Sequence, residues 1–280
     1  MIDRIEKRFL KLKSENRAGL VTFTMMGDPD IENSFDILRG LPNAGADIIE
    51  IGTPFTDPMA DGSIIQAAGQ RALKAGITLK KTLELVHRFR RDDKDTPIIL
   101  MGYFNPIYVY GVDKFIADSK SVGLDGIIIV DLPSEEDAEL CLPAISNGLA
   151  FIRLVAPTTN ETRLPLVLKN SSGFIYYISI TGITGSGGAT SIKISESLNK
   201  IRKYTALPIC VGFGVKTPKQ ASEVAEFADG VVVGSALIDC IAKSLNQNTG
   251  NNQESVKYVH KLVADLATGI RNSRRKEVTS

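Results

Sequence analysis

Eight times between Leu20 and Leu245 a short run of β-branched and aliphatic residues gives way to a longer segment whose apolar residues recur at helical spacing. The runs are Leu20 to Met25, Asp47 to Gly52, Pro97 to Met101, Gly126 to Val130, Phe151 to Val155, Gly173 to Ser179, Pro208 to Val211 and Gly230 to Val233. Their helical partners are Ile31 to Asn43, Ser63 to Lys74, Val112 to Val122, Ser134 to Asn147, Thr162 to Asn170, Ile192 to Tyr204, Thr217 to Phe227 and Ser235 to Leu245. Strands that are apolar throughout, rather than alternating, are covered on both faces, as in parallel sheets flanked by helices. Eight such units predict an α/β fold closed into a (β/α)8 TIM barrel. An open doubly wound sheet is the competing architecture, but no early Gly-rich dinucleotide fingerprint follows the first run.

Additions to the eight units are legible at three places. Met1 to Ser14 reads as an amphipathic extra N-terminal helix, and Thr78 to Arg91 as an extra helix inserted after strand 2. At the C-terminus a polar, Asn-rich connection, Asn246 to Gln253, leads to a last helix, Glu254 to Ile270. Residues 1–271 are expected to form a single barrel domain, and 272–280, with Arg274, Arg275 and Lys276, a frayed basic tail. A net charge of +1 over 280 residues gives no electrostatic reason to expect nucleic acid or an anionic membrane as partner. Charges interrupt Met1 to Lys13, so it does not read as a signal peptide, and no run approaches the roughly 18 apolar residues of a membrane span. Cys141, Cys210 and Cys240 lie far apart without metal-ligand spacing, which predicts reduced thiols in a cytoplasmic protein and no metal site.

In a barrel of this kind chemistry belongs at the C-terminal ends of the strands and in the loops after them. Those positions hold Phe23 and Asp28 after strand 1, Glu50 and Asp61 after strand 2, and Met101, Tyr103 and Asn105 after strand 3. Asp131 follows strand 4, and Tyr176 lies on strand 6. Glu50 and Asp61 flank a loop stiffened by Pro54 and Pro58, and two carboxylates at the exit of one strand suggest acid/base work. Blander readings stand beside these: Glu50 as a strand-end cap, Asp61 as a helix N-cap, Asp28 as a turn residue, Tyr176 as core. His87 and His260 fall in mid-helix and carry no assigned chemistry. Three Gly-rich turns, Thr184 to Ala189, Gly212 to Val215 and Gly234 to Ala236, follow strands 6, 7 and 8. Glycine lets backbone N–H groups approach an anion, and barrel phosphate sites are commonly built after strands 7 and 8.

Seven stretches together resemble one known family, the α subunit of tryptophan synthase. They are Met26-Gly-Asp-Pro29, Glu50-Ile-Gly-Thr-Pro-Phe-Thr-Asp-Pro-Met-Ala-Asp-Gly62, Met101-Gly-Tyr-Phe-Asn-Pro106, Asp131-Leu-Pro133, Ile183-Thr-Gly185, Gly212-Phe-Gly-Val215 and Gly234-Ser235. The resemblance spans roughly residues 1 to 270 and is most specific between Glu50 and Gly62. Thr53 and Thr56 depart from the residues more usual there, as do Pro106 to Gly111 and Ile180 to Ile183.

The resemblance implies a lyase that splits indole-3-glycerol phosphate into indole and glyceraldehyde 3-phosphate by a retro-aldol reaction. It implies Glu50 as the principal acid/base and Asp61 as the carboxylate that meets the indole N–H. Phe23, Met101, Ile128, Leu154 and Tyr176 would line the indole pocket. Gly185, Phe213, Gly214, Gly234 and Ser235 would hold the phosphate, and Thr184, Gly185, Ser186, Gly187 and Gly188 would belong to a lid loop. The chain itself would need no cofactor: pyridoxal phosphate would belong to a β subunit, in an αββα heterotetramer, met through Phe55, Asp57, Pro58 and Asn105. Two other functions stay open on the residues alone, a different sugar-phosphate barrel enzyme and a non-catalytic activator of a β partner. The first would not need Glu50 together with Asp61, and the second would have no chemical reason to keep both.

Overall fold

Parallel pairing passes from strand to neighbouring strand around a TIM barrel in the computed structural model, which describes residues 3–179, 187–212, 214–246 and 253–274, backbone only at 187–191, 246 and 253. The strands are β1 (Gly19–Met25), β2 (Ile48–Gly52), β3 (Ile98–Gly102), β4 (Gly126–Ile129), β5 (Ala150–Phe151), β6 (Arg153–Val155), β7 (Ile175–Ile178), β8 (Ile209–Gly212) and β9 (Gly230–Val233). Their order is β5-β4-β3-β2-β1-β9-β8-β7-β6. The expected fifth strand, Phe151 to Val155, is thus two segments. β5 pairs with β4 and β6 with β7, so the chain changes partner at Ile152 and closes the ring there.

The helices are α1 (Arg4–Ser14), α2 (Ile31–Ala44), α3 (Ser63–Lys74), α4 (Leu79–Phe89), α5 (Phe104–Tyr110), α6 (Val112–Val122), α7 (Cys141–Ser146), α8 (Leu164–Leu168), α9 (Gly187–Ile201), α10 (Pro218–Ala225), α11 (Ser235–Asn246) and α12 (Gln253–Ser273). α1 starts where Asp3 accepts the Glu6 N–H, and its buried face, Ile5, Phe9 and Leu12, enters the same apolar cluster as the inward side chains Val21, Ile48, Ile99, Ile128, Phe174 and Val232. It therefore closes one end of the barrel, with Phe9 packed against Phe174 at 5.9 Å between ring centroids. The inserted helix is α4, capped by Thr78. α12 packs against α2, α10 and α11, and the His260 ring nitrogen Nε2 meets the Ile37 carbonyl at 2.9 Å, a structural use of that histidine.

Three expectations need correction. The helices expected at Ser134 to Asn147 and Thr162 to Asn170 shrink to a 3-10 turn at Ser134–Glu136 with α7, and to α8. Pro143 and Pro165 each fall in the first turn of the shorter helix, where a missing N–H matters least. The backbone freed by this shortening is held by a buried polar network: Arg153 donates to the Leu132 carbonyl and pairs with Asp137, which also accepts from Asn170. α5 stands where a loop was expected; its first N–H, that of Phe104, is accepted by Asp131 from the next strand at 2.8 Å. The tail is not frayed throughout, because α12 runs to Ser273 and Arg274 donates to the carbonyls of Ala225 and Ala228. Residues 275–280 and the connection 247–252 lie outside the described residues.

Asp47, Asp125 and Asp229 each stand just before an even-placed strand of the ring or its equivalent, β2, β4 and β9. Each accepts an N–H of the strand alongside, from Leu20, Ile98 and Ile209, at 2.8–2.9 Å. Arginines stand by all three, Arg202 meeting Asp229 at 3.4 Å. Arg17 makes two bonds to Asp47, while Arg90 and Arg4 meet Asp125 at 2.6 and 2.7 Å.

Candidate active site

Along β2 the inward positions are Ile48, Glu50 and Gly52, the first in the interior cluster and the last so close to Phe23 that a Cβ there would come within 2.6 Å of its ring. Glu50 is registered between Phe23 of β1 and Ile99 of β3 and is 0% exposed. Neither carboxyl oxygen has a hydrogen-bond partner among the described residues. Loss of water favours the neutral form, and burial pushes Glu50 up to about 8, so the empty site holds it as a carboxylic acid at neutral pH. The adjacent Tyr176 hydroxyl is pushed well above its usual range, first by burial and then by the neighbouring Glu50 charge, and stays protonated. The Tyr176 ring lies over Gly212, where any Cβ would meet it at 2.5 Å.

The loop after β2 turns twice, through Met59 N–H to the Asp57 carbonyl and Asp61 N–H to the Pro58 carbonyl, and brings Asp61 back to the barrel mouth. Asp61 is not the cap of α3: that position is Gly62, without a side-chain bond. The carboxylate is half-buried, which pushes it up, and the Tyr103 hydroxyl opposes this by stabilising the ionised form. Asp28, by contrast, is fully buried in a two-bond pair with Arg71 of α3, at 2.6 and 2.8 Å. Its role is to tie the loop after β1 to α3.

Phe23, Asp61, Met101, Tyr176, Gly214, Gly234 and Ser235 line one cavity of about 240 Å³. Glu50 lies out of solvent's reach below, next to Phe23 and Tyr176. The wall also includes Ile65, Ser179, Val215 and Val232, which were not singled out from sequence; the parity of β9 alone, with Val232 two residues before Gly234, could have found Val232. Ile128 is fully buried in the interior cluster, and half-buried Leu154 packs against that cluster as Met101 and Tyr176 do. The inward position nearer the mouth of β4 is Val130, half-buried. Thr184, Gly185, Ser186 and Phe213 lie outside the described residues. Gly187 and Gly188, expected in a loop, open α9, in a first turn whose N–H groups have no helical partner in any case.

Phe55 and Pro58 are half-buried and Asp57 and Asn105 exposed, on the loop after β2 and on α5. Around them Met59, Tyr108 and Val109 are 79%, 64% and 77% exposed, more apolar surface than scattered side chains require. Among the described residues no group of His, Cys, Asp or Glu is arranged to hold a metal, and no helix is long and apolar enough to cross a membrane.

Known proteins share this fold. The family model described as tryptophan synthase alpha chain matches residues 9–268. A crystal structure of tryptophan synthase subunit alpha from Legionella pneumophila is 36% identical, with 97% of this chain and 100% of that chain covered and a TM-score of 0.89. A structure from Aquifex aeolicus is 37% identical over 96% of this chain and all of that one, at 0.85. Tryptophan synthase from M. tuberculosis is 31% identical over 96% of this chain and 99% of that one, at 0.84. With the match running from α1 into α12, the chain belongs to the tryptophan synthase alpha chain family.

Proposed function

We propose that the chain cleaves indole-3-glycerol phosphate to indole and D-glyceraldehyde 3-phosphate, with Glu50 and Asp61 as its two working carboxylates. The observation that carries this reading is Glu50 itself, a buried carboxylic acid on β2 with no hydrogen-bond partner among the described residues, adjoining a cavity that Asp61 lines. A retro-aldol cleavage needs a proton delivered to indole C3. It then needs a base for the proton of the glycerol hydroxyl next to the breaking bond. Glu50, held neutral at pH 7, has the proton to give, and as the resulting carboxylate it takes the hydroxyl proton and is restored. Positive charge spreads to the indole nitrogen once C3 is protonated, and an ionised Asp61 facing the N–H favours it. Phe23, Met101 and Tyr176 supply apolar walls for the ring.

Gly214, Gly234 and Ser235, which also line the cavity, would present backbone to the phosphate. Ser235 opens the 12-residue α11, whose first N–H groups and dipole favour an anion. Gly185 and Phe213 would complete this cradle, and Thr184 to Gly188 the lid. Phe55, Asp57, Pro58 and Asn105, with the exposed apolar side chains beside them, would meet a β subunit in an αββα heterotetramer. That subunit would hold the pyridoxal phosphate and condense the released indole with L-serine. The enzyme would work in the cytoplasm, where its free thiols stay reduced.

Indole release from indole-3-glycerol phosphate by the purified chain, alone and with a β subunit, tests the reading. Slow release that rises strongly with the partner is expected. Absence of release under both conditions would overturn it.

A further inference from the structure

The loop that carries Asp61 is fastened sideways to the residue that follows β3. Tyr103 is 3% exposed, caps the start of α5, and packs its ring against Phe55 at 5.3 Å between centroids. Its hydroxyl oxygen accepts the Ala60 N–H at 3.0 Å. That bond occupies a lone pair, leaves the O–H to donate, and holds the hydroxyl beside the next residue in the chain, Asp61, whose charge acts on the phenol. Burial and the charges of Asp61 and Asp131 push the phenol up to about 12, so it remains a donor across the working range.

We propose that Tyr103 is a positioning residue for Asp61: anchored at the exit of β3 and fixed by Ala60 N–H and Phe55, its hydroxyl orients the Asp61 carboxylate toward the cavity. The proposal rests on Asp61 as the carboxylate that meets the indole N–H. A half-buried carboxylate at the end of a loop has rotamers to choose from and a tendency to take up a proton, and either would remove the charge the reaction needs. A rigid neutral donor at the exit of a neighbouring strand answers both, whereas a cation there would compete with the developing positive charge.

Tyr103→Phe in the full chain keeps the ring against Phe55 and removes only the hydroxyl. Asp61 is followed by ¹³C NMR of labelled aspartate carboxyls, and turnover by indole release across pH. The expected result is an Asp61 titration moved upward by roughly one unit. Turnover is expected to fall about tenfold on the acid side and by less as pH rises, with KM changed less than kcat. Replacing Tyr103 with 3-fluorotyrosine, a stronger donor of nearly the same shape, should move the titration the opposite way. An unmoved Asp61 titration in both variants, or a loss of turnover equal at every pH, overturns the proposal. The carboxyl titration needs no substrate, so wild-type protein that releases no indole while its Asp61 responds to Tyr103 would sink the function and leave the positioning intact.

Discussion

Asp47, just before β2, and Glu50, at its middle, stand three residues apart, both almost wholly out of solvent, and their surroundings could hardly differ more. At the N-terminal end Asp47 accepts from Arg17 twice and from the Leu20 N–H, and Asp125 from Arg90, Arg4 and the Ile98 N–H. On β2 itself Glu50 accepts from nothing among the described residues. A buried carboxylate with a full set of donors is a charged clamp between strands, and one with none keeps its proton. Burial is common to both; the donors decide whether the group holds the barrel or is available for chemistry.

Glu50→Gln breaks this contrast most severely. Turnover should fall roughly 100 to 10,000-fold, the range a positioned acid/base supplies. Stability should move the other way. The carboxyl titrates at its ordinary 4.5 when unfolded and at about 8 when folded, so between those values the native state binds more protons and stability declines as pH rises. Over the whole window the loss is on the order of 5 kcal/mol, present in the wild type and missing from Glu50→Gln. Urea unfolding of both proteins on either side of that window measures it, and indole release by the wild type should fall through about pH 8 as the acid form disappears. Parallel stability profiles would mean that Glu50 has a donor after all.

Asp125→Ala attacks the other end. It takes from Arg90, 5% exposed, its nearest carboxylate and leaves it Asp93 at 3.9 Å, and should destabilise the chain by about 3–5 kcal/mol. Turnover per folded molecule should stay at the wild-type level, because nothing at that end touches the cavity. A matching loss of turnover would show that the two ends are not independent.

Half of this contrast is legible in the residues. The alternation of apolar runs and helical segments is enough for the barrel, and the two-residue period of a strand puts Ile48, Glu50 and Gly52 on one face. What escapes is whatever depends on a partner distant in the chain. The first N–H of α5 is accepted by Asp131, 27 residues later, and the backbone beside the shortened α7 is held by Arg153, which reaches Asp137 and Leu132. Tyr103 reads only as a strand-exit residue until Ala60 and Phe55 are seen beside it. Ile128 is expected on the pocket wall only through the family resemblance; the period of β4 turns it inward, but a period does not say how deep a side chain lies, and Val130 stands nearer the mouth. For Glu50, likewise, the strand predicts the direction and not the missing donor.

Asp28 sharpens the rule because it lies at the C-terminal end and yet is paired. Arg71→Gln removes its two charge-assisted bonds and should cost roughly 1.5–3 kcal/mol, less than Asp125→Ala because Arg71 is partly exposed. Burial already pushes Asp28 up against the pull of Arg71, so in the variant the carboxyl should titrate higher still, and the loss of stability should shrink at low pH where it is protonated. Denaturation at neutral and acid pH reads both. A pH-independent loss would mean that Arg71 acts by packing on Asp28 rather than by pairing with its charge.

The smallest effect is expected from Arg163→Gln, and it tests whether pairing without burial counts. Arg163 meets Glu135 through two bonds, at 2.7 and 3.1 Å, a geometry as good as that of Arg71 with Asp28. Both side chains are about half exposed, however, and Glu135, though held down to about 2 chiefly by Arg163, loses little when water replaces the guanidinium. The unfolding midpoint should therefore stay where it is, and the Glu135 titration alone should return toward the ordinary carboxylate range. A clear fall in the midpoint would mean that Arg163 and Glu135 work as the outer part of the network that buries Arg153 with Asp137. The boundary between clamp and surface pair would then lie farther out than burial alone places it.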